Sequence, residues 1–164
     1  MEIRPVSPDE YARLGALTAL AYTSLPGYVP DPDYVEELHD VRGRAEAVGC
    51  EVLVAVDDDG TVLGGVTFVF DSSSPMAEHS IQGAASIRTL AVDPTAQGRG
   101  VGGALLRECL DRATALPATA IVLHSTPWMD SAHRLYDRLG FVRDESLDVH
   151  HLPGIDLWGF RLEL

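Results

Sequence analysis

A run of glycines between a strand and a helix sets the frame for this chain. The segment is Gln97-Gly98-Arg99-Gly100-Val101-Gly102-Gly103. Before it lies a β-prone stretch, Ala85–Val92, which stops at Asp93-Pro94. From about Gly98 to Leu116, Val101, Leu105, Cys109 and Ala113 recur at four-residue spacing, which predicts an amphipathic helix. Glycines in alternation let a backbone come close to a ligand, because no Cβ blocks the approach. The first N–H groups of the following helix have no acceptor within it, and its dipole favours negative charge there. A phosphate is the expected occupant. A bare tight turn would use the same glycines, but this many at a helix start favours the anion site.

Gly98, Gly100 and Gly103 also satisfy the dinucleotide fingerprint G-x-G-x-x-G. That fingerprint should follow its strand directly, yet Asp93-Pro94-Thr95-Ala96-Gln97 intervenes. The next strand should end in an acid that holds the ribose, whereas here it ends in His124-Ser125. No Gly-Lys-Ser/Thr follows the glycines, which removes the Walker loop as well. The phosphate site reads well and the NAD site poorly.

The chain of 164 residues suits one domain, 1–164, with a real core. No stretch approaches the roughly 20 apolar residues that a membrane span needs, so no membrane partner is expected. The start, Met1-Glu2-Ile3-Arg4-Pro5, lacks the basic end and apolar run of a signal peptide, and the expected location is cytoplasmic. The formal net charge is −13, which repels phosphate backbones and argues against nucleic acid as a partner. The same field leans toward cationic acceptors, although it also serves solubility. Cys50 and Cys109 have no metal-ligand spacing and are expected as buried, reduced thiols; no metal is expected.

Ser7-Pro8-Asp9-Glu10 starts a first helix that should run to about Tyr22. A second is expected from about Pro32 to Ala47, with Tyr34, Leu38, Val41 and Ala45 on one face. Glu51–Val56 and Thr61–Phe70, separated by Asp57-Asp58-Asp59-Gly60, read as a hairpin. Asp71–Gly83 reads as a long loop. After the central strand and helix come a short strand, Ala118–His124, and a helix, Asp130–Leu139, ended by Gly140. Two strands close the chain, around Phe141–Val149 and Leu157–Leu164, joined by a turn at Pro153-Gly154. The order α-α-β-β-β-α-β-α-β-β predicts an α/β (α+β) domain, a mixed sheet with helices packed on it. The last strand can pair within the chain or across a homodimer.

Two motifs then resemble a known family, the GNAT superfamily of N-acetyltransferases. The first is Leu90-Ala91-Val92-Asp93-Pro94-Thr95-Ala96-Gln97-Gly98-Arg99-Gly100-Val101-Gly102. The second is Ala132-His133-Arg134-Leu135-Tyr136 followed by Leu139-Gly140-Phe141. The resemblance implies a GNAT-like fold, acetyl-CoA as cosubstrate, and direct attack by an amine through a tetrahedral intermediate. It implies that Gln97, Gly98, Arg99, Gly100, Val101, Gly102 and Gly103 hold the CoA diphosphate. It also implies that the backbone of Leu90, Ala91 and Val92 pairs with the pantetheine arm like an added strand. The amide near Leu90 would polarise the thioester carbonyl, and Tyr136 would protonate the departing sulfur. Where many members carry an Asn on the cofactor arm, this chain has Met129.

Acyl transfer needs a neutral amine, so a base or water chain must take a proton. His124, at the end of the strand beside the cofactor strand, is a candidate; so are Glu78, His79 and His150-His151, and the residues alone name no winner. Arg88 cannot serve as a base. The acceptor, a small-molecule or peptide amine, should meet Leu25–Pro30, Asp71–Gly83 and His150–Ile155, with Tyr28 and Met76 among them and Trp128 as a further candidate. A non-catalytic acyl-CoA-binding sensor would keep the glycine loop and need neither acid nor base.

Overall fold

β-Branched and small residues fill the middle of the chain, and they form a sheet buried on both sides. β2 (Cys50–Val56) and β3 (Val62–Val69) make the expected hairpin, closed at Gly60, where φ is +86°. Leu53 and Ala55 of β2 face one core, while Val52, Val54 and Val56 face another, as period-two alternation requires. The computed structural model describes residues 1–152 and 155–164, with side chains for all of these except 151, 152 and 155. The expected turn at Pro153-Gly154 and the side chain of His151 lie outside the described residues.

The remaining strands are β1 (Glu2–Pro5), β4 (Ala84–Val92), β5 (Ala120–Ser125), β6 (Val142–Arg143), β7 (Val149–Leu152) and β8 (Ile155–Glu163). Sheet order is β1-β2-β3-β4-β5-β8-β6, with β7 on β8. β4 and β5 run parallel and the other neighbours antiparallel. On one face, α4 (Val101–Thr114) presses Val101, Leu105, Leu106 and Cys109 onto the sheet. On the other, α1 (Tyr11–Thr23) brings Leu14 and Leu17, joined by Val41 of α3 (Val41–Glu46). Each fully buried Leu of this kind contributes roughly 1.5–3 kcal/mol. α2 (Pro32–His39) crosses α1 where Gly15 lets the His39 carbonyl approach; a Cβ there would stand 2.5 Å from that oxygen. α5 (Asp130–Arg138) leads into β6. Among the described residues no helix is long and apolar enough to cross a membrane.

Four differences from the sequence expectation have local causes. β1 was not expected, because four residues ending in Pro carry no pattern; pairing with β2 makes it a strand. The single helix expected from Pro32 to Ala47 breaks at Asp40, whose ψ is 66°. Its carboxylate accepts from Gly43 N–H at 2.8 Å and caps a new helix, the usual competition of Asp with the helical backbone. The central helix begins at Val101 rather than Gly98, since Gly98 and Gly100 have φ of +79° and +81°. The strand expected over Phe141–Val149 splits, because Asp144 caps a short 3-10 turn, Glu145–Leu147. β8 pairs within the chain, with β5, rather than being left for a second copy.

Candidate active site

The site begins with one kinked residue. Gly65 pairs with Ala91 and Thr67 with Arg88, so β4 carries one residue more than β3 across this interval. The extra residue is Thr89, at φ +56°, the only non-glycine with positive φ among the described residues. A β-branched residue in that region is strained by order 1–3 kcal/mol. Its consequence is a change of face. Ile87 and Ala91 have the same parity, yet Ile87 packs in the core under α4 and Ala91 in the core under α1. Leu90 and Val92 turn toward the α4 side.

β4 and β5 part at the same place. Their parallel register runs from Ala84↔Ala120 to Ile87↔Leu123 and stops. Beyond it β5 stays with β8, through His124↔Gly159 and Ser125↔Trp158. The backbone of β4 from Arg88 to Val92 therefore has an open edge toward β5. A cleft of about 2370 Å³ opens there. That is well above the roughly 300–1,000 Å³ of a drug-sized site, so it has space for a long ligand and a second molecule.

At one end of the cleft Asp93 caps a 3-10 turn, Pro94–Ala96, and the chain enters α4 through the two left-handed glycines. Ala104 N–H is the first to close a helical bond, on Gly100 O at 3.0 Å. The amides of Val101, Gly102 and Gly103 have no acceptor inside the helix. A Cβ added at Gly98 or Gly100 would meet nothing within 4 Å, so the space over these amides is open. Leu90, Ala91, Val92, Gln97, Gly98 and Gly100 line the cleft, as do Val101, Gly102 and Gly103. Arg99 does not; its guanidinium pairs with Asp57 in the hairpin turn at 2.7 Å.

The arginines show where negative charge is missing. All twelve basic side chains apart from histidine are arginines. Eight pair with a carboxylate. Among the described residues Arg44, Arg107, Arg134 and Arg138 have no such partner, and all four line this cleft. Arg107 lies beside Gly103, its Nη1 3.4 Å from where a Cβ would stand. Arg134 and Arg138 stand one helical turn apart on α5. Free amides with three guanidinium groups that lack a carboxylate partner among the described residues fit a diphosphate, even in a protein of net charge −13.

Tyr136 is buried on α5 against Phe141 and Phe160, with ring centroids 6.0 and 5.4 Å away, and it lines the cleft. Burial pushes its hydroxyl up to about 12, against a smaller downward pull from Ser125. Ser125 Oγ lies 3.2 Å from His133 Nε2, and His133 stacks on Trp158 at 5.7 Å. Burial lowers the pKa of His133. His124 lines the cleft, and its Nε2 donates to Leu147 O at 2.8 Å. In the neutral ring this contact puts the proton on Nε2 and leaves Nδ1 as the acceptor.

Of the other candidates, Glu78 pairs with Arg88 at 3.0 Å and lines the cleft. His79 does not line it: Nδ1 accepts from Ile81 N–H at 3.1 Å and Nε2 is buried without a partner. His150 is exposed beside Asp156. Tyr28 and Met76 line the cleft, and Trp128 does so while covering Gly27. Met129 lines it too, its sulfur 3.5 Å from Ser125 Oγ. Sequence reasoning missed the Thr89 kink, which carries no signal because Thr is an ordinary strand residue. It also passed over Ser125, His133 and the arginines that lack a carboxylate partner among the described residues, although the Arg134–Arg138 spacing was a readable sign.

Residues 15–141 match the family model described as Acetyltransferase (GNAT) family. The chain is similar to the human N-acetylaspartate synthetase, 31% identical over 99 residues that make up 60% of this chain and 30% of that protein. The chain spans no more than 30% of the length of the curated relatives it matches. Among solved structures it is similar to a GCN5-related N-acetyltransferase from Kribbella flavida, with a TM-score of 0.76 and 24% identity over 99% of this chain and 97% of that one. It is also similar to a Salmonella typhimurium structure with its cofactor acetyl-CoA, with a TM-score of 0.71 and 22% identity over 99% and 93%.

Proposed function

The chain belongs to the Acetyltransferase (GNAT) family, and we propose that it transfers an acetyl group from acetyl-CoA to a primary amine. One observation carries this reading: the open β4 edge, the free α4 amides and Tyr136 meet in one cleft. The relative named N-acetylaspartate synthetase supports nitrogen as the acceptor.

Acetyl-CoA, when bound, supplies the acetyl group as an activated thioester. The amides of Val101, Gly102 and Gly103, with Arg107, Arg134 and Arg138, would hold its phosphates. The open edge of β4 would hold its arm, and the kink at Thr89 fixes where the Leu90 N–H points. Tyr136, kept protonated by burial, holds a proton at its hydroxyl for the leaving sulfur. His124 accepts the amine's proton at Nδ1, its other nitrogen being committed to Leu147 O. The transfer is direct. Both thiols are buried, and burial raises the pKa of each, so neither suits an acyl carrier.

The test is calorimetric titration with acetyl-CoA, CoA and NAD, followed by a thiol-release screen of primary amines. Acetyl-CoA binding without NAD binding, with turnover on at least one amine, is the expected result. Tyr136→Phe should keep acetyl-CoA affinity and lose roughly 10²–10⁴-fold in kcat. Unchanged behaviour in that variant would favour the non-catalytic sensor. No acetyl-CoA binding to a folded, ligand-free sample would end the acyltransferase reading.

A further inference from the structure

The cleft is also lined by a buried cation, Arg44, that has no carboxylate at ion-pair distance among the described residues. Arg44 of α3 is 7% exposed. Its Nη1 donates to Glu37 O and its Nη2 to Leu38 O at 3.2 Å, while Nε is buried with no partner among the described residues. Burial depresses the Arg44 pKa, and Arg88 depresses it further. Asp40, which caps the same helix and accepts from Gly43 N–H, opposes this from beyond ion-pair distance, as a weaker influence than burial and Arg88. Two guanidinium groups therefore act on one another here, and Glu78 pairs with Arg88 alone. A buried charge left without compensation costs several kcal/mol, so an anion that enters from the cleft is strongly favoured.

Two tyrosine hydroxyls near the pair are further donors. Tyr22 and Tyr34 meet edge to face at 6.3 Å, and both line the cleft. Neither hydroxyl has a hydrogen-bond partner among the described residues, and burial raises both pKa values, Tyr34 to about 12. Arg88 donates from Nη1 to Met76 O at 3.2 Å and from Nη2 to Glu78, and still has N–H groups left over. It is also the residue before the Thr89 kink, so a group held on Arg88 sits next to the β4 backbone that would carry the thioester.

We propose that the acceptor is a small amine that also bears a carboxylate, with that carboxylate held by Arg88 in front of Arg44 and by the hydroxyls of Tyr22 and Tyr34. The inference rests on the acetyl-transfer reading and narrows its acceptor. It runs against the lean of the net charge toward cationic acceptors, because a buried pair at close range outweighs exposed charges screened beyond about 8–10 Å. Asp31, Asp33 and Glu37, also on this side, are exposed at or near the start of α2 or along it; Asp31 is occupied as the helix cap. Glu78, once a carboxylate shares Arg88, is free to face the acceptor's ammonium group. An amino acid presents that arrangement of charges in complement.

The experiment compares acceptor pairs that differ in the carboxylate: alanine with alaninamide, β-alanine with ethylamine, and aspartate with asparagine, beside spermidine. Thiol release at saturating acetyl-CoA should favour a carboxylate-bearing member by at least about 10-fold in kcat/KM. Arg88→Gln should raise KM for that acceptor by about 10–100-fold, the loss expected for hydrogen bonds to a charged group. The same variant should leave its uncharged partner and acetyl-CoA affinity little changed. A purely structural latch on the loop would instead weaken both members equally. Tyr34→Phe, on an exposed helix, gives a second variant should Arg88→Gln fail to fold, with the same selective direction. A preference for spermidine or the amides, or equal losses for both members, overturns the proposal. Should acetyl-CoA not bind at all, the acetyl-transfer reading fails, and thermal shift with the amino acids alone decides the anion site. Stabilisation of wild type and none of Arg88→Gln upholds that site; no stabilisation rejects it.

Discussion

Gly100→Ala separates a turn from a ligand cradle. Gly100 enters α4 at φ +81°, and a Cβ there meets nothing within 4 Å. In the free protein the only penalty is the left-handed backbone, about 1–2 kcal/mol. For a chain of this size each kcal/mol lowers Tm by about 2–4 °C, so the variant should melt about 2–8 °C lower. Gly60 supplies the control. It turns the β2–β3 hairpin at φ +86°, also with nothing within 4 Å, and lies outside the cleft. Gly60→Ala should therefore lose the same stability. The two part only at the ligand. At Gly100 the new methyl fills space over the free α4 amides and displaces one charge-assisted hydrogen bond or more, worth about 1.5–3 kcal/mol each. Acetyl-CoA affinity should fall about 10–100-fold in Gly100→Ala and stay at the wild-type value in Gly60→Ala. Melting curves and calorimetric titrations on three proteins suffice. Matched melting losses with equal acetyl-CoA affinity would refute the cradle and leave the glycines as a turn.

Three further outcomes follow from burial and charge. Tyr136 holds its proton until pH approaches about 12, so kcat should show no falling limb from this group between about pH 7 and 10; a limb in that range, absent from Tyr136→Phe, would contradict the burial argument. Glu10 accepts from Arg4 and Ser7, which hold it down at about 2 against an ordinary 4.5. Its folded pKa is depressed, so the stabilisation is present above about 4.5 and is lost as pH falls toward about 2. Urea unfolding of Glu10→Gln beside wild type should show a stability gap at neutral pH that closes over that window; a gap of constant size would exclude the linkage. Cys109, fully buried and pushed up to about 12, should not react with a thiol reagent in the folded protein; prompt labelling at neutral pH would show that the α4 face opens.

Much of the fold was legible because it is local. The hairpin, the central strand and the Val101–Ala113 stripe each follow from side-chain period and turn chemistry. Asp40 misled because capping and continuing a helix are close in energy, and only the packing of Leu38 and Val41 into the core decides between them. β1 had no signal at all; its hydrogen-bond partner lies some fifty residues away in sequence.

The sequence by itself determined a glycine loop between a strand and a helix, the candidate anion site, and a tyrosine helix downstream. These depend on backbone freedom and side-chain spacing over a few residues, which the order of residues encodes directly. The tertiary structure alone decided what they surround. Thr89 is an ordinary strand residue until β3 and β5 impose different registers on β4, and the kink then reverses a face and opens an edge. Arg44, Arg107, Arg134 and Arg138 are unremarkable along the chain. Their common lack of a carboxylate partner among the described residues, and their meeting in one cleft, are properties of distance in space, which a protein of net charge −13 conceals in its sum.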